Sequence, residues 1–84
     1  MEYFVYIIYS RFADRYYVGH CQDLDDRMTR HNGGRSKYTK LATDWEVKHT
    51  ECYSTRSEAM AREREIKRKK SRKYIEFLTA NSKG

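Results

Sequence analysis

The chain is short of branched aliphatic side chains. Leu, Ile, Val and Phe together supply 13 of 84 residues. Below ~20%, with a high net charge, such a composition points toward disorder. Eight Tyr, three Met and one Trp turn that balance. Each aromatic buries ~150–250 Å², so a small, tyrosine-rich core is within reach. No run of ~18 apolar residues is present, which excludes a membrane-spanning helix. The opening MEYFVYIIYS is apolar but has neither a basic n-region nor a small-residue cleavage site, so it does not read as a signal peptide. Cys21 and Cys52 follow no metal-site spacing and are too few for a disulfide framework. They read as reduced thiols of a cytoplasmic protein. Repeats are absent, and the length fits one domain over residues 1–80 with a disordered tail over 81–84.

What is there in excess is positive charge, +6 overall. It is unevenly placed. Residues 1–34 carry −1, residues 35–50 carry +2 and residues 51–84 carry +5. Lys67, Arg68, Lys69, Lys70, Arg72 and Lys73 form the run KRKKSRK, and Lys37 lies in a second basic segment, SKYTK. Such clusters mark a polyanion partner, with a solvated helix face as the competing reading.

Residues 3–9, YFVYIIY, are continuously β-branched or aromatic and predict a strand buried on both faces. A turn at 11–14 and a strand at 15–20 complete a hairpin. Leu24, Arg27, Met28 and His31 then recur on one helix face, opened by Asp23 and closed by Asn32-Gly33-Gly34. Residues 33–44 read as a flexible loop. Trp45, Val47 and His49 alternate with polar neighbours in a third strand over 45–53. Thr55 and Glu58 form a capping box for a second helix, and Ser71 is positioned to open a third. The order β-β-α-β-α-α describes an α+β domain with a three-stranded antiparallel sheet flanked by helices.

Several polar residues fall on faces that should be apolar. Glu63 sits within the stripe formed by Ala59, Met60 and Ile66, while Glu58 and Glu65 point away. A carboxylate there needs a partner, either an arginine from elsewhere in the core or a metal ion. Arg27 and His31 interrupt the stripe of the first helix. In the hairpin a four-residue turn makes paired residue numbers sum to 25. Tyr6 then faces Gly19, Ile8 faces Tyr17, and the two tyrosines become diagonal neighbours on one face. Gly19 leaves room beside Tyr6 for a close approach.

Taken in order, FVY (Phe4 to Tyr6), YVG (Tyr17 to Gly19), Arg27, His31 and Glu63 resemble the GIY-YIG endonuclease superfamily. The segments DLDDRMTRHNGG, SKYTK and SEAMAREREIKRKKS are similar to its small stand-alone bacterial members. The resemblance spans residues 3–78. It implies a phosphodiester-cleaving endonuclease acting on DNA, structure-selective or non-specific, with a place in repair or recombination. Tyr6 would serve as general base or activate water, and Tyr17 would orient water or phosphate. Arg27 would stabilise phosphate charge, and His31 would assist proton transfer. Glu63 would bind one Mg²⁺ or Mn²⁺. A single carboxylate suffices for Mg²⁺, which keeps several of its waters. The arginine fork suits phosphate oxygens.

Phe4 replaces the first-motif Gly and Val18 the second-motif Ile; both leave the tyrosines in place. Many members carry a further Asn near the domain end, for which this chain offers only Asn81 in the tail. That departure keeps a second reading open, a nucleic-acid-binding module that does not cut. With no targeting domain attached, a protein partner would supply site choice.

Overall fold

The computed structural model describes residues 1–81. The run of alternation-free apolar residues becomes β1 (Tyr3–Ser10), which lies between β2 (Arg15–Cys21) and β3 (Glu46–Tyr53) in an antiparallel sheet of order β2-β1-β3. The central place explains the missing alternation, since Val5, Tyr6, Ile7 and Ile8 are all buried although they point to opposite faces. The β1–β2 register is the one that the four-residue turn dictates, with Tyr6 paired to Gly19, Ile8 to Tyr17 and Ser10 to Arg15.

Each face of the sheet builds its own core. On one, Val5, Ile7 and Val18 pack with Ala59 and Ile66 of α2 (Arg56–Arg68), and Tyr3, Tyr16, Tyr53, Tyr74, Ile75 and Leu78 surround them. Tyrosines thus fill places that scarce Leu and Val would take. Two tyrosines join neither core, Tyr9 and the exposed Tyr38. Tyr9 stacks on Tyr16 with centroids 4.6 Å apart and donates to Asp14 at 2.6 Å. On the other face Tyr6, Ile8, Cys21, Ala42 and Trp45 pack with Leu24 and Met28 of α1 (Leu24–Asn32).

The third strand departs from simple alternation. Ile7 pairs with His49 but Ile8 pairs with Val47, so a bulge at Lys48 intervenes. One extra residue reverses the side-chain parity. Val47 therefore joins the Tyr6 face, while His49 and Glu51 turn toward α2. There Arg62 grips Glu51 with Nε and Nη2 at 2.8 and 3.1 Å, and Tyr53 donates to the same carboxylate at 2.7 Å. His49 Nε2 lies 2.8 Å from it.

The helix starts follow their caps. Asp23 accepts from Asp26 N–H, Thr55 and Glu58 close a capping box, and Ser71 opens α3 (Arg72–Ala80). Asn81, which the sequence assigns to the tail, caps α3 by donating to the Phe77 carbonyl at 2.7 Å. Residues 82–84 of that tail lie outside the described residues. No helix is long and apolar enough to cross a membrane among the described residues, and both cysteines are free thiols.

Candidate active site

Tyr6 emerges from the central strand and extends across β2 while staying buried, only 1% exposed. It does so over Gly19. A Cβ at that position would lie 2.5 Å from Tyr6 Oη and 2.7 Å from its Cζ, so only glycine leaves the ring its path. Tyr17, two residues earlier on the same face, brings its ring centroid to 6.4 Å from that of Tyr6.

The last turn of α1 supplies the next group. His31 Nε2 lies 2.9 Å from Tyr6 Oη, and His31 Nδ1 lies 2.6 Å from Thr39 Oγ1. A neutral imidazole has one donor and one acceptor. With Nδ1–H donating to Thr39, Nε2 accepts the Tyr6 O–H; the other tautomer reverses both bonds. The loop that holds Thr39 is tied down rather than flexible. The Thr39 carbonyl accepts the Trp45 indole N–H at 2.9 Å, and Asn32 makes two hydrogen bonds with the Trp45 backbone. Thr39 and Ala42 are buried within it.

Burial pushes the Tyr6 phenol well above its ordinary range, with Tyr17, Cys21 and Glu63 adding to the rise and the Arg27 charge opposing it. Burial and Arg27 hold the His31 imidazole below its ordinary value, hence neutral at pH 7. In the tautomer with Nδ1–H on Thr39, the neutral His31 Nε2 accepts from the Tyr6 hydroxyl.

Glu63 approaches from α2, on the opposite side of the sheet, round the exposed edge of β2. No core arginine pairs with it. Its Oε1 lies 2.6 Å from His20 Nδ1 and its Oε2 accepts from Lys67 Nζ at 2.7 Å. The arginine pairing belongs to its neighbour Arg62. Burial raises the Glu63 carboxyl, but Lys67 and His20 outweigh it and pull the group below its ordinary range. Lys67 Nζ also stands 5.5 Å from the Tyr17 ring centroid, which links Glu63 to the tyrosine side of the edge. A cleft of ≈ 190 Å³ opens beside the carboxylate, lined by His20, Met60, Glu63, Arg64 and Lys67. No group of three or more metal-ligating side chains occurs among the described residues. One ionised carboxylate facing a cleft nevertheless fits a hydrated hard cation, which needs only one or two protein oxygens.

The comparisons with known proteins show the family and the fold. The family model described as the GIY-YIG catalytic domain matches residues 2–75. The chain belongs to the GIY-YIG family. It is 40% identical over 67 residues to UPF0213 protein SERP0126 of Staphylococcus epidermidis, covering 79% of this chain and 80% of that one. It is also 40% identical over 65 residues to UPF0213 protein HQ_3675A of Haloquadratum walsbyi, covering 76% and 72%. The solution NMR structure of the UPF0213 protein BH0048 from Bacillus halodurans superposes with a TM-score of 0.59 at 31% identity, covering 95% of this chain and 84% of that one. Membership makes this chain a nuclease-family protein with DNA as the implied substrate; GIY-YIG nucleases generally use divalent metal ions.

Within this GIY-YIG domain three of the five motif residues touch, and the other two lie within electrostatic reach of Tyr6. Tyr6, Tyr17 and His31 are in ring contact, while Arg27 and Glu63 both bear electrostatically on the Tyr6 hydroxyl. The basic run is divided by the break between α2 and α3. Lys67, Lys70 and Arg72 line a groove beside Tyr17. Arg68, Lys69 and Lys73 do not, and Lys69 rests 5.3 Å from the Tyr74 ring centroid. Lys37 stands beside exposed Tyr38 and lines neither cleft. Sequence reasoning missed His20 and Thr39. Alternation along β2 does place His20 opposite to Tyr17, and so toward α2. Thr39 left no comparable signal.

Proposed function

We propose that this GIY-YIG protein is a metal-dependent endonuclease that hydrolyses DNA phosphodiesters at the β2 edge. The observation that carries the reading is the 2.9 Å contact between Tyr6 Oη and the neutral, buried His31. Hydrolysis needs an activated water and stabilisation of developing charge. Water gives a proton to Tyr6 Oη as the Tyr6 O–H proton passes to His31 Nε2. The hydroxide so formed attacks phosphorus, and the P–O bond breaks with its electron pair going to the leaving sugar oxygen. That oxygen takes a proton from solvent water, and His31, left as imidazolium, returns its proton to the solvent hydroxide. Arg27 offers the planar fork that matches phosphate oxygens, and Tyr17 orients the phosphate. Glu63 would hold one Mg²⁺ or Mn²⁺. Such an ion, when bound, supplies Lewis-acid stabilisation of phosphate charge. Substrate choice is structure-selective or non-specific, consistent with a role in repair or recombination in the cytoplasm with a targeting partner.

The ion pair between Lys67 and Glu63 favours a second reading, a nucleic-acid-binding module in which Lys67 keeps the metal position closed. Nicking of supercoiled plasmid with Mg²⁺ or Mn²⁺ separates the two. Wild type should nick, and Glu63→Ala and Tyr6→Phe should not. Equal cleavage by wild type and Glu63→Ala would assign it to a contaminant and overturn the nuclease reading.

A further inference from the structure

The cleft beside Glu63 has a larger neighbour. A groove of ≈ 630 Å³ runs along the exposed edge of β2, between Tyr16 and Tyr17 on one side and the α2–α3 corner on the other. Arg15, Lys67, Lys70 and Arg72 line it against a single carboxylate, Asp14. Asp14 is already neutralised by Arg72 at 2.6 Å. Lys67 lines this groove and the Glu63 cleft alike, so the two are adjacent.

The cations differ in availability. Lys67 and Arg72 are held in place, Lys67 by Glu63 and Arg72 by Asp14 and Glu76, each also over a tyrosine ring. The Arg15 and Lys70 side chains make no hydrogen bond or ion pair among the described residues, Lys70 bonding only through its backbone N–H to the Lys67 carbonyl. Lys70 carries a second sign of purpose. Its φ is +48°, the left-handed conformation in which helices commonly end on glycine. A lysine keeps that place although the backbone favours glycine. Strained positions of this kind collect at functional sites.

From this arrangement we infer that the β2-edge groove holds a single strand of nucleic acid flanking the scissile phosphate, with Arg15 and Lys70 as its free phosphate contacts. Its volume is that of small-molecule sites, ~300–1,000 Å³. A cleft of that size takes one nucleic-acid backbone. The inference rests on the nuclease reading for its orientation toward a scissile phosphate, but strand binding itself does not need cleavage.

The test uses the wild-type chain without divalent cations and a fluorescent single-stranded oligonucleotide, with a blunt duplex of the same sequence in parallel. Arg15→Gln with Lys70→Gly should weaken single-strand binding about tenfold. Its log K against log salt slope should become shallower by roughly 1.4, at about 0.7 per lost contact. Thermal unfolding should show no loss from Lys70→Gly, since glycine suits that backbone. Arg68→Gln with Lys73→Gln removes the same charge outside the groove and should change affinity less than about twofold. Equal weakening by both pairs would reduce the effect to bulk charge and overturn the inference. So would a wild-type chain that ignores single strands or binds the blunt duplex as tightly. Groove-dependent binding without metal-dependent nicking would sink the nuclease reading and leave the groove standing. Nicking with unchanged binding by the Arg15–Lys70 pair would do the reverse.

Discussion

Tyr6 Oη and His31 Nε2 lie 2.9 Å apart, and each residue is only 1% exposed. A phenol raised by burial is a poor base at pH 7, whereas an imidazole kept neutral by the same burial is a ready acceptor. Tyr6→Phe removes the hydroxyl that joins water to His31. It should lower the nicking rate by roughly 10²–10⁴, the usual contribution of a positioned acid or base. Thr39→Val leaves Nδ1–H without its acceptor and should cost less, roughly a hundredfold, the lower end of that range.

The same pair predicts a pH dependence. The active form has His31 neutral, so kcat/KM should rise with pH through the His31 titration. Burial and Arg27 both hold that titration below the ordinary 6.5. Arg27→Gln removes one of the two causes, and the midpoint should move upward. NMR titration of the His31 ring in both proteins reads this without any substrate. An unmoved midpoint would show that the Arg27 charge does not reach the ring.

Gly19 can be tested alone. The Cβ of Gly19→Ala would sit 2.5 Å from Tyr6 Oη and 3.1 Å from Tyr17 Cε2. Overpacking of this kind costs about 1–3 kcal/mol, and relief comes from displacing the tyrosines. Nicking should fall as far as in Tyr6→Phe, while the chain still unfolds cooperatively at a lowered Tm. Full activity would mean that the Tyr6 hydroxyl does not need its path over β2.

On the nuclease reading, Lys67 and a bound metal ion would compete for the Glu63 carboxylate. Their ion pair is partly exposed, and exposed pairs contribute ~0.2–1 kcal/mol. Lys67→Met should therefore tighten Mn²⁺ binding by up to about fivefold, read from the electron spin resonance signal of free Mn²⁺. Glu63→Ala should abolish site-bound Mn²⁺. Unchanged Mn²⁺ affinity in both variants would remove Glu63 from metal binding.

Much of this was legible before any coordinates. Turn length alone pairs Tyr6 with Gly19, because antiparallel register follows from the closing residues. Thr55 and Glu58 mark the start of α2 because capping is a local interaction. The bulge at Lys48 was hidden, since Trp45, Val47 and His49 alternate whether or not an extra residue is present. His20 and Thr39 were hidden for a different reason. His20 acquires its role from Glu63, 43 positions away, and Thr39 from a loop whose order depends on Trp45 and Asn32.

The Glu51 cluster predicts how the fold responds to acid. Burial raises this carboxyl, but hydrogen bonds from Arg62, His49 and Tyr53 more than offset it and bring the group from 4.5 down to about 2. A carboxyl depressed in the folded state binds fewer protons than in the unfolded chain. Its stabilisation is full above 4.5 and is lost as pH falls toward 2. The loss is on the order of 3 kcal/mol, a large share of the stability of a small domain. Glu51→Gln should be less stable than wild type at pH 7, because Arg62 loses its charged partner at a position only 19% exposed. It should also show a flatter decline between pH 4.5 and 2. Urea unfolding at several pH values measures both quantities. Parallel pH profiles for the two proteins would place the acid sensitivity in other carboxylates, with Asp14 and Asp44 the next to test, since hydrogen bonds depress both.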